Sequence, residues 1–452
     1  MESAIKKVFT YIDENSNKFV RDMKKLCRQP SISTQKIGME KCAQLVRSML
    51  EEAGIKTRVF QFKEGFPIIY GEFINKKATK TLGFYNHYDV QPPDPLDKWV
   101  SPPFKPEVRE GKFFARGVSD NKGDIVARLS AIKALAETVG EIPVNLKFII
   151  EGEEEVGSPN LPIFVKENKA LLQADGYLWE TGFKDPMENP MIVLGCKGDL
   201  SVEMEAKGPA TDQHSQNAPL LPNPAWRLIW ALESIKGFDE KIKIEGFYEN
   251  IEPLTKEELE QIKHIPFPEE IMKKSYGVKE FLRGLVGSEA QKAYMYEPTC
   301  NICGFASGYA GTGMKTVLPS IAIAKVDFRL VEAQRGEEIF DKLKAHLLKH
   351  GFKDVKVKKL GIIDPAKTTI DAPLVKTVAE TTKKVYGKEP IIHPMAPGSS
   401  PMYTVRNYVG APCVVGAGVN YTGANMHAPN ENVRITDFIA GIKHLSAVIL
   451  SY

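Results

Sequence analysis

The stretch "TKTLGFYNHYDV", Thr79–Val90, decides how the chain reads. Its apolar run predicts a buried strand, and the strand ends on His87-Tyr88-Asp89. Side chains at i and i+2 share one face of a strand. His87 and Asp89 therefore point the same way, either as an accident of a polar strand end or as a ligand held by its own carboxylate. Upstream, "MEKCAQLVRSMLEEAGIKTRVF" puts Cys42, Leu45, Val46, Met49 and Leu50 on one helical stripe stopped by Gly54. Downstream, "NKGDIVARLSAIKALAETVG" predicts a helix with Ile125, Leu129, Ile132 and Val139 inward and Gly140 as its end. "VNLKFII" and "DGYLWE" predict two more strands. Strands alternating with helices argue for an α/β sheet with helices on both faces.

The pattern changes near Lys197. "GDLSVEMEAKGP" alternates as a strand, "NPAWRLIWALESIKGF" is helical, "PSIAIAKVDFRLVE" is a long alternating strand, "GEEIFDKLKAHLLKHG" an amphipathic helix and "DVKVKKLG" a closing strand. Strand-helix-strand-helix-strand outlines a small α+β domain with one helical face. The Lys-, Glu- and Pro-rich stretch from Phe238 to Thr299 reads as an insertion within it. From "DAPLVKTVAETTKKVYG" the α/β pattern resumes. The expected division is an α/β domain over 1–197 and 369–452, split by an inserted α+β domain over 198–368.

Composition narrows the function classes. The 452 residues are 43% hydrophobic and 26% charged with a net charge of +3, ordinary globular material. No long basic run argues for nucleic acid, and no apolar stretch approaches a membrane span. The N-terminal "MESAIKKVFTYIDENSNKFV" has helical spacing and lacks the apolar core of a signal peptide, so a cytoplasmic protein is expected. The six cysteines are scattered and form no disulfide framework. Cys300 and Cys303 make the only C-x-x-C, with no second ligand pair for a structural zinc site. Cys27, Cys42, Cys196 and Cys413 read as buried or neutral thiols.

Five polar clusters follow predicted strands or occupy turns, where sites form in open α/β sheets. They are His87 with Asp89; Asp120 in "ARGVSDNKG"; Glu151, Glu153, Glu154 and Glu155 in "EGEEEVGS"; Glu180 ending "DGYLWE"; and His427 in "NMHAPNE". Each has a bland reading. Asp120 precedes a helix and could be an N-cap, an acidic run is usually a solvated face, and a lone histidine is usually structural. The acidic run, however, begins where a core strand ends, a poor place for uncompensated negative charge. Two histidines, an aspartate and two or three glutamates suit Zn²⁺, Mn²⁺ or Co²⁺. Two metals sharing one carboxylate would account for the acid excess, and adjacent Glu154 and Glu155 allow one to ligate while the other acts as a base.

"HYDVQP…W…PF", "ARGVSDNKG", "EGEEEVGS", "PTCNICGFASGYAGTGMKTVLP", "AKVDFRLV", "PGSSP" and "HAPNE" resemble, in order and over almost the whole chain, the signatures of metallopeptidase family 20. That family contains dinuclear metal exopeptidases and deacylases, and the resemblance is nearest to its carnosinase-like dipeptidase branch. It implies a mixed-sheet, phosphorylase/hydrolase-like catalytic domain and an inserted ferredoxin-like lid and dimerisation domain. It implies that Asp120 bridges two metals, zinc by preference with manganese or cobalt as alternatives, with the peptide to Asn121 in cis. His87 and Glu180 would complete one metal site, Glu155 and His427 the other. Asp89 would orient His87, and Glu154 would be general base on a metal-bridging water. His214 in "TDQHSQ" resembles the histidine that reaches the partner subunit's site and stabilises an oxyanion. Arg329 resembles the arginine that takes the substrate's terminal carboxylate, and Ser399, Gly398 and Thr316 resemble substrate contacts.

Four positions depart from the family pattern. Many dipeptidases of the family have Asp where this chain has Glu180. "DQHSQ" lacks the glycine of the usual "DLHSG", Lys197 stands where an arginine is common, and "PGSSP" begins with a proline in place of a glycine. Three of the four surround the substrate, so they bear on specificity more than on chemistry. The resemblance therefore implies a homodimeric dipeptidase or carboxypeptidase acting on small substrates with a free C-terminus. An N-acyl-amino-acid deacylase on the same scaffold is the nearest alternative. A serine hydrolase using Ser399 or Ser400 lacks the G-x-S-x-G elbow. A non-catalytic binding protein would be expected to have lost a ligand or Glu154, and none is lost.

Overall fold

A computed structural model describes residues 2–251 and 253–452. Two compact units emerge: residues up to Gly195 with Lys367–Pro394 and Thr404–Tyr452, and Cys196–Ala366 with Met395–Tyr403. The segment Met395–Tyr403, which carries Gly398 and Ser399, sits with the inserted unit rather than with the flanking α/β sequence.

The first unit is built on an eight-stranded mixed sheet, in the order Lys56–Phe60, Ile68–Phe73, Asn145–Glu151, Thr81–His87, Gly176–Trp179, Cys413–Val415, Met191–Val193, Ile391–His393. Four neighbouring strands, Asn145–Glu151, Thr81–His87, Gly176–Trp179 and Cys413–Val415, run parallel. Their carboxyl ends deliver Glu151, His87, Trp179 and Val415 to one edge, with His87 in register with Glu151. A parallel sheet is covered on both faces, and this one is. The helix Gly123–Thr138 is buried nearly all round, with Gly123–Ile132 fully inside. It packs against the C-terminal helix Ile435–Ser451, itself buried from Phe438 to Ile449 over most positions. Three of the four residues expected on its inner face are buried, but Val139 lies past the last turn and is over a third exposed.

The second unit carries a four-stranded antiparallel sheet in the order Thr299–Ser307, Ile321–Leu330, Gly198–Lys207, Lys356–Ile363, with helices Pro224–Ile235 and Gly336–Lys349. Alternation places Leu200, Val202, Met204, Ala322, Ala324, Val326 and Phe328 in its core. One strand escapes the five-element outline expected from sequence. Thr299–Ser307, "TCNICGFAS", is short of large β-branched residues and has a register shift between Ile302 and Gly304, so its alternation is illegible. It completes the split strand-helix-strand, strand-helix-strand arrangement of a ferredoxin-like domain. Cys300 and Cys303 lie on this strand three apart, one buried and one exposed. Among the described residues, no helix is long and apolar enough to cross a membrane.

Candidate metal centre

The carboxyl ends of the parallel strands converge on one carboxylate. Asp120 Oδ1 lies 2.9 Å from His87 Nε2, and Asp120 Oδ2 lies 3.0 Å from His427 Nε2. Glu180 Oε2 is 3.4 Å from the same His87 nitrogen, and Glu155 Oε2 is 3.3 Å from the same His427 nitrogen. The result is two sets, His87–Asp120–Glu180 and His427–Asp120–Glu155, that share Asp120. Asp120 does not cap the following helix, which starts at Gly123; its backbone is extended and its peptide to Asn121 is cis.

The support beneath these groups is specific. His87 Nδ1 faces the Asp89 carbonyl at 3.1 Å and its carboxylate at 3.3 Å. The Asp89 carboxylate, fully buried, also accepts the backbone N–H of Glu154 at 3.2 Å and of Glu155 at 3.1 Å. Asp89 therefore does more than orient His87: it ties that strand end to the glutamate turn. Arg128, buried within the central helix, donates to the Tyr85 carbonyl and Asn86 Oδ1 at 2.5 Å each and to the Trp179 carbonyl at 2.6 Å. One guanidinium thus pins the ends of the two strands that present His87 and Glu180. Nothing in the sequence distinguished Arg128 from a surface helix arginine, because its partners are mostly backbone carbonyls of other strands.

Electrostatics favour a cation. Burial alone would lower the His87 imidazole, but hydrogen bonds to Asp120 and Asp89 raise it well above its ordinary range. Asp120 and Glu155 push His427 up to about 10. Burial pushes Glu154 up to about 7, with Asp120, Glu155 and Asp89 adding to it against the pull of His87. Burial and Glu154 raise Glu180 well above the carboxylate range. A cluster that holds protons this firmly is one with too few positive charges.

Among the described residues, three buried carboxylate oxygens, Glu151 Oε2, Glu155 Oε1 and Glu180 Oε2, have no hydrogen-bond partner. Ligand atoms of His87, Asp120 and Glu155 all lie within 4.8 Å of one another. Buried, partnerless anionic oxygens beside imidazoles are costly unless they ligate. The nitrogen and oxygen donor set suits a borderline divalent ion.

The residues expected around a substrate lie in the second unit. Arg329 Nη1 donates to Ser399 Oγ at 2.6 Å, so these two are brought together; Gly398 adjoins Ser399. His214 pairs with Val317 in a two-stranded ribbon, and the Thr316 carbonyl accepts the next N–H, from Ser215, at 3.1 Å. His214 Nδ1 accepts the Gln216 N–H at 3.1 Å, which leaves Nε2 as the protonated nitrogen of the neutral ring. Lys197 is buried and donates to the carbonyls of Tyr294 at 2.8 Å and Glu297 at 2.6 Å. It caps the end of the helix Gly287–Tyr296, so the lysine standing in place of the usual arginine is committed to the fold.

A family model described as peptidase family M20/M25/M40 matches residues 83–451. A crystal structure of an M20 family metallo-carboxypeptidase from Sulfolobus solfataricus is 39% identical and superposes with a TM-score of 0.91 over 96% of this chain and 99% of that one. The β-Ala-His dipeptidase of Homo sapiens is 27% identical over 471 residues, covering 99% of this chain and 92% of its own. The Cys-Gly metallodipeptidase of Saccharomyces cerevisiae is 27% identical over 402 residues, covering 85% and 82%.

Proposed function

The chain belongs to the M20/M25/M40 peptidase family, and from that premise we propose that it is a dinuclear metallo-exopeptidase that cleaves dipeptides and similar small amides bearing a free C-terminal carboxylate. The observation that carries this reading is the Asp120 carboxylate, each of whose oxygens meets one imidazole. His87, Asp120 and Glu180 would hold one divalent ion, and His427, Asp120 and Glu155 the other, zinc by preference with manganese or cobalt as alternatives. When bound, the pair supplies Lewis-acid polarisation of the amide carbonyl and acidifies water toward neutral pKa.

The rest is done by side chains. Glu154 accepts a proton from the attacking water and delivers it to the leaving amine. Asp89 keeps His87 in its tautomer and holds the turn that aims Glu154. Arg329 takes the substrate carboxylate, with Ser399, Gly398 and Thr316 as further contacts; this restricts cleavage to short substrates. The dipeptidase relatives and the carboxypeptidase neighbour support peptides over N-acyl amino acids as substrates. The test is a panel of Ala-Ala, Leu-Gly, β-Ala-His and N-acetyl-Leu, assayed after chelation and after Zn²⁺, Mn²⁺ or Co²⁺ is restored. Dipeptide cleavage should vanish on chelation and return with metal; cleavage of the acyl substrate alone would move the chain to the deacylase branch. Activity that survives chelation would end the metal reading.

The inserted unit also supports a homodimer. Its sheet has two edges. One, Lys356–Ile363, exposes Lys356, Lys358 and Lys359, the usual guard against strand addition. The other, Thr299–Ser307, carries no charge and exposes Ile302 at 51% and Phe305 at 46%. On the same unit the helix Pro224–Ile235 exposes Trp226, Ile229 and Trp230. A second copy covering this unguarded edge would let His214 of the partner subunit donate to the oxyanion. Sedimentation should give a dimer that Phe305→Lys breaks into monomers; a wild-type enzyme active as a monomer would remove that role from His214. The six cysteines are scattered with no disulfide-framework spacing, which suits a reducing compartment and a cytoplasmic enzyme.

A further inference from the structure

The segment that brings His427 to the site also grips the loop that carries Asp120. Glu431 is buried, and every acceptor position of its carboxylate is used. Oε2 accepts Arg116 Nη1 at 2.7 Å and the Gly117 N–H at 2.8 Å. Oε1 accepts the Ser119 N–H at 2.8 Å and the Asp120 N–H at 3.1 Å. On the same segment, Asn420 exchanges two hydrogen bonds with Ser119, at 2.5 Å to the hydroxyl and 2.9 Å to the carbonyl. The loop is shaped to receive this grip. Gly117 sits at φ +80, and a Cβ there would stand 2.3 Å from Val90. Arg116 extends the clamp to the stretch after His87 by donating to the Pro92 carbonyl at 3.2 Å.

Asp120 must meet two imidazoles at once, so a displacement well under an ångström costs contact with one of them. His427 has little of its own to hold it in place. Its side chain is half exposed, its backbone is left-handed at φ +60, and among the described residues its polar partners at the site are Asp120 and Glu155. Building on the metal assignment above, we propose that Glu431 is a positioning residue for the metal pair. Its carboxylate fixes the spacing of Asp120 and His427, ligands that lie 307 positions apart in the chain, and so sets metal affinity. Four donors converge on the Glu431 carboxylate, and one of them is the buried Arg116 guanidinium.

The experiment measures zinc affinity by competition with a chromophoric chelator, together with melting of the metal-free protein, for wild type, Glu431→Gln, Glu431→Asp and Leu445→Ala. Leu445→Ala destabilises the core away from the site and controls for stability. Outer-shell changes weaken metal binding by about 10–100-fold. Both Glu431 variants should show a loss of that size at a temperature where the metal-free protein is folded, while Leu445→Ala stays within about threefold of wild type. Glu431→Asp keeps a charge for Arg116 and only withdraws the carboxylate, so it decides the matter if Glu431→Gln does not fold. Affinity within about threefold of wild type in the folded Glu431 variants, or a loss matched by Leu445→Ala, overturns the positioning role. A wild type that binds no zinc overturns the metal assignment instead.

Discussion

Glu154→Gln should leave the protein folded and metal-loaded yet reduce kcat by about 10²–10⁴-fold, the range that a positioned general base contributes. The two adjacent glutamates have visibly different surroundings. Glu155 is claimed on one oxygen by Gln91 at 2.8 Å and by His427 at 3.3 Å, as befits a ligand. Glu154 contacts neither imidazole, and the Asp89 carboxylate holds it by its backbone N–H at 3.2 Å. Burial pushes its carboxyl up to about 7, and only the ionised form accepts a proton. Wild-type kcat/KM should therefore fall on the acid side as Glu154 takes up its proton, and because bound cations lower a neighbouring carboxyl, that limb should lie below about 7 in the metal-loaded enzyme. Glutamine matches the volume and removes the base. Steady-state kinetics alongside metal analysis by mass spectrometry decide the point. A variant within about tenfold of wild-type kcat, with metal bound, would mean that the proton goes elsewhere.

How much of this site could be read from sequence follows from what kind of contact each residue makes. His87 and Glu155 are legible beside the ends of apolar strands, and the acidic run stands out because it follows the buried "VNLKFII"; Glu180 and His427 are unremarkable alone and gain weight only from the whole set. Asp120 was ambiguous, since an aspartate before a helix is ordinarily a cap; only its contacts with two histidines distinguish it. Arg128 and Glu431 were out of reach for a different reason. Their partners are largely backbone groups brought close by the fold, and backbone groups leave no trace in residue type. Glu431 lies inside "HAPNE", and its one hint is a charged residue four positions past His427. In the fold, the parallel strands were legible as continuous apolar runs, whereas Thr299–Ser307 was not, because a register shift and small residues erase the period of two.

Arg329→Ala should lower kcat/KM on free-acid dipeptides by about 100-fold, the worth of a lost charge-assisted pair, while barely changing cleavage of the corresponding C-terminal amides. Arg329 stands on the strand Ile321–Leu330, in register with Asp199. Its Nε is 3.8 Å from Asp199 Oδ1 and its Nη1 is bound to Ser399. Those two contacts orient the plane of the guanidinium and use only part of its five donors. With 37% of the side chain exposed, the remaining donors can reach a ligand. A planar fork matches a carboxylate bidentately, which a lysine ammonium cannot do; Arg329→Lys should accordingly recover little of the loss. The comparison of acid and amide substrates separates recognition from support. If Arg329 only braced Ser399 and Asp199, its removal would slow both substrates alike. A loss confined to the free acid places Arg329 on the substrate carboxylate and explains a restriction to exopeptidase substrates.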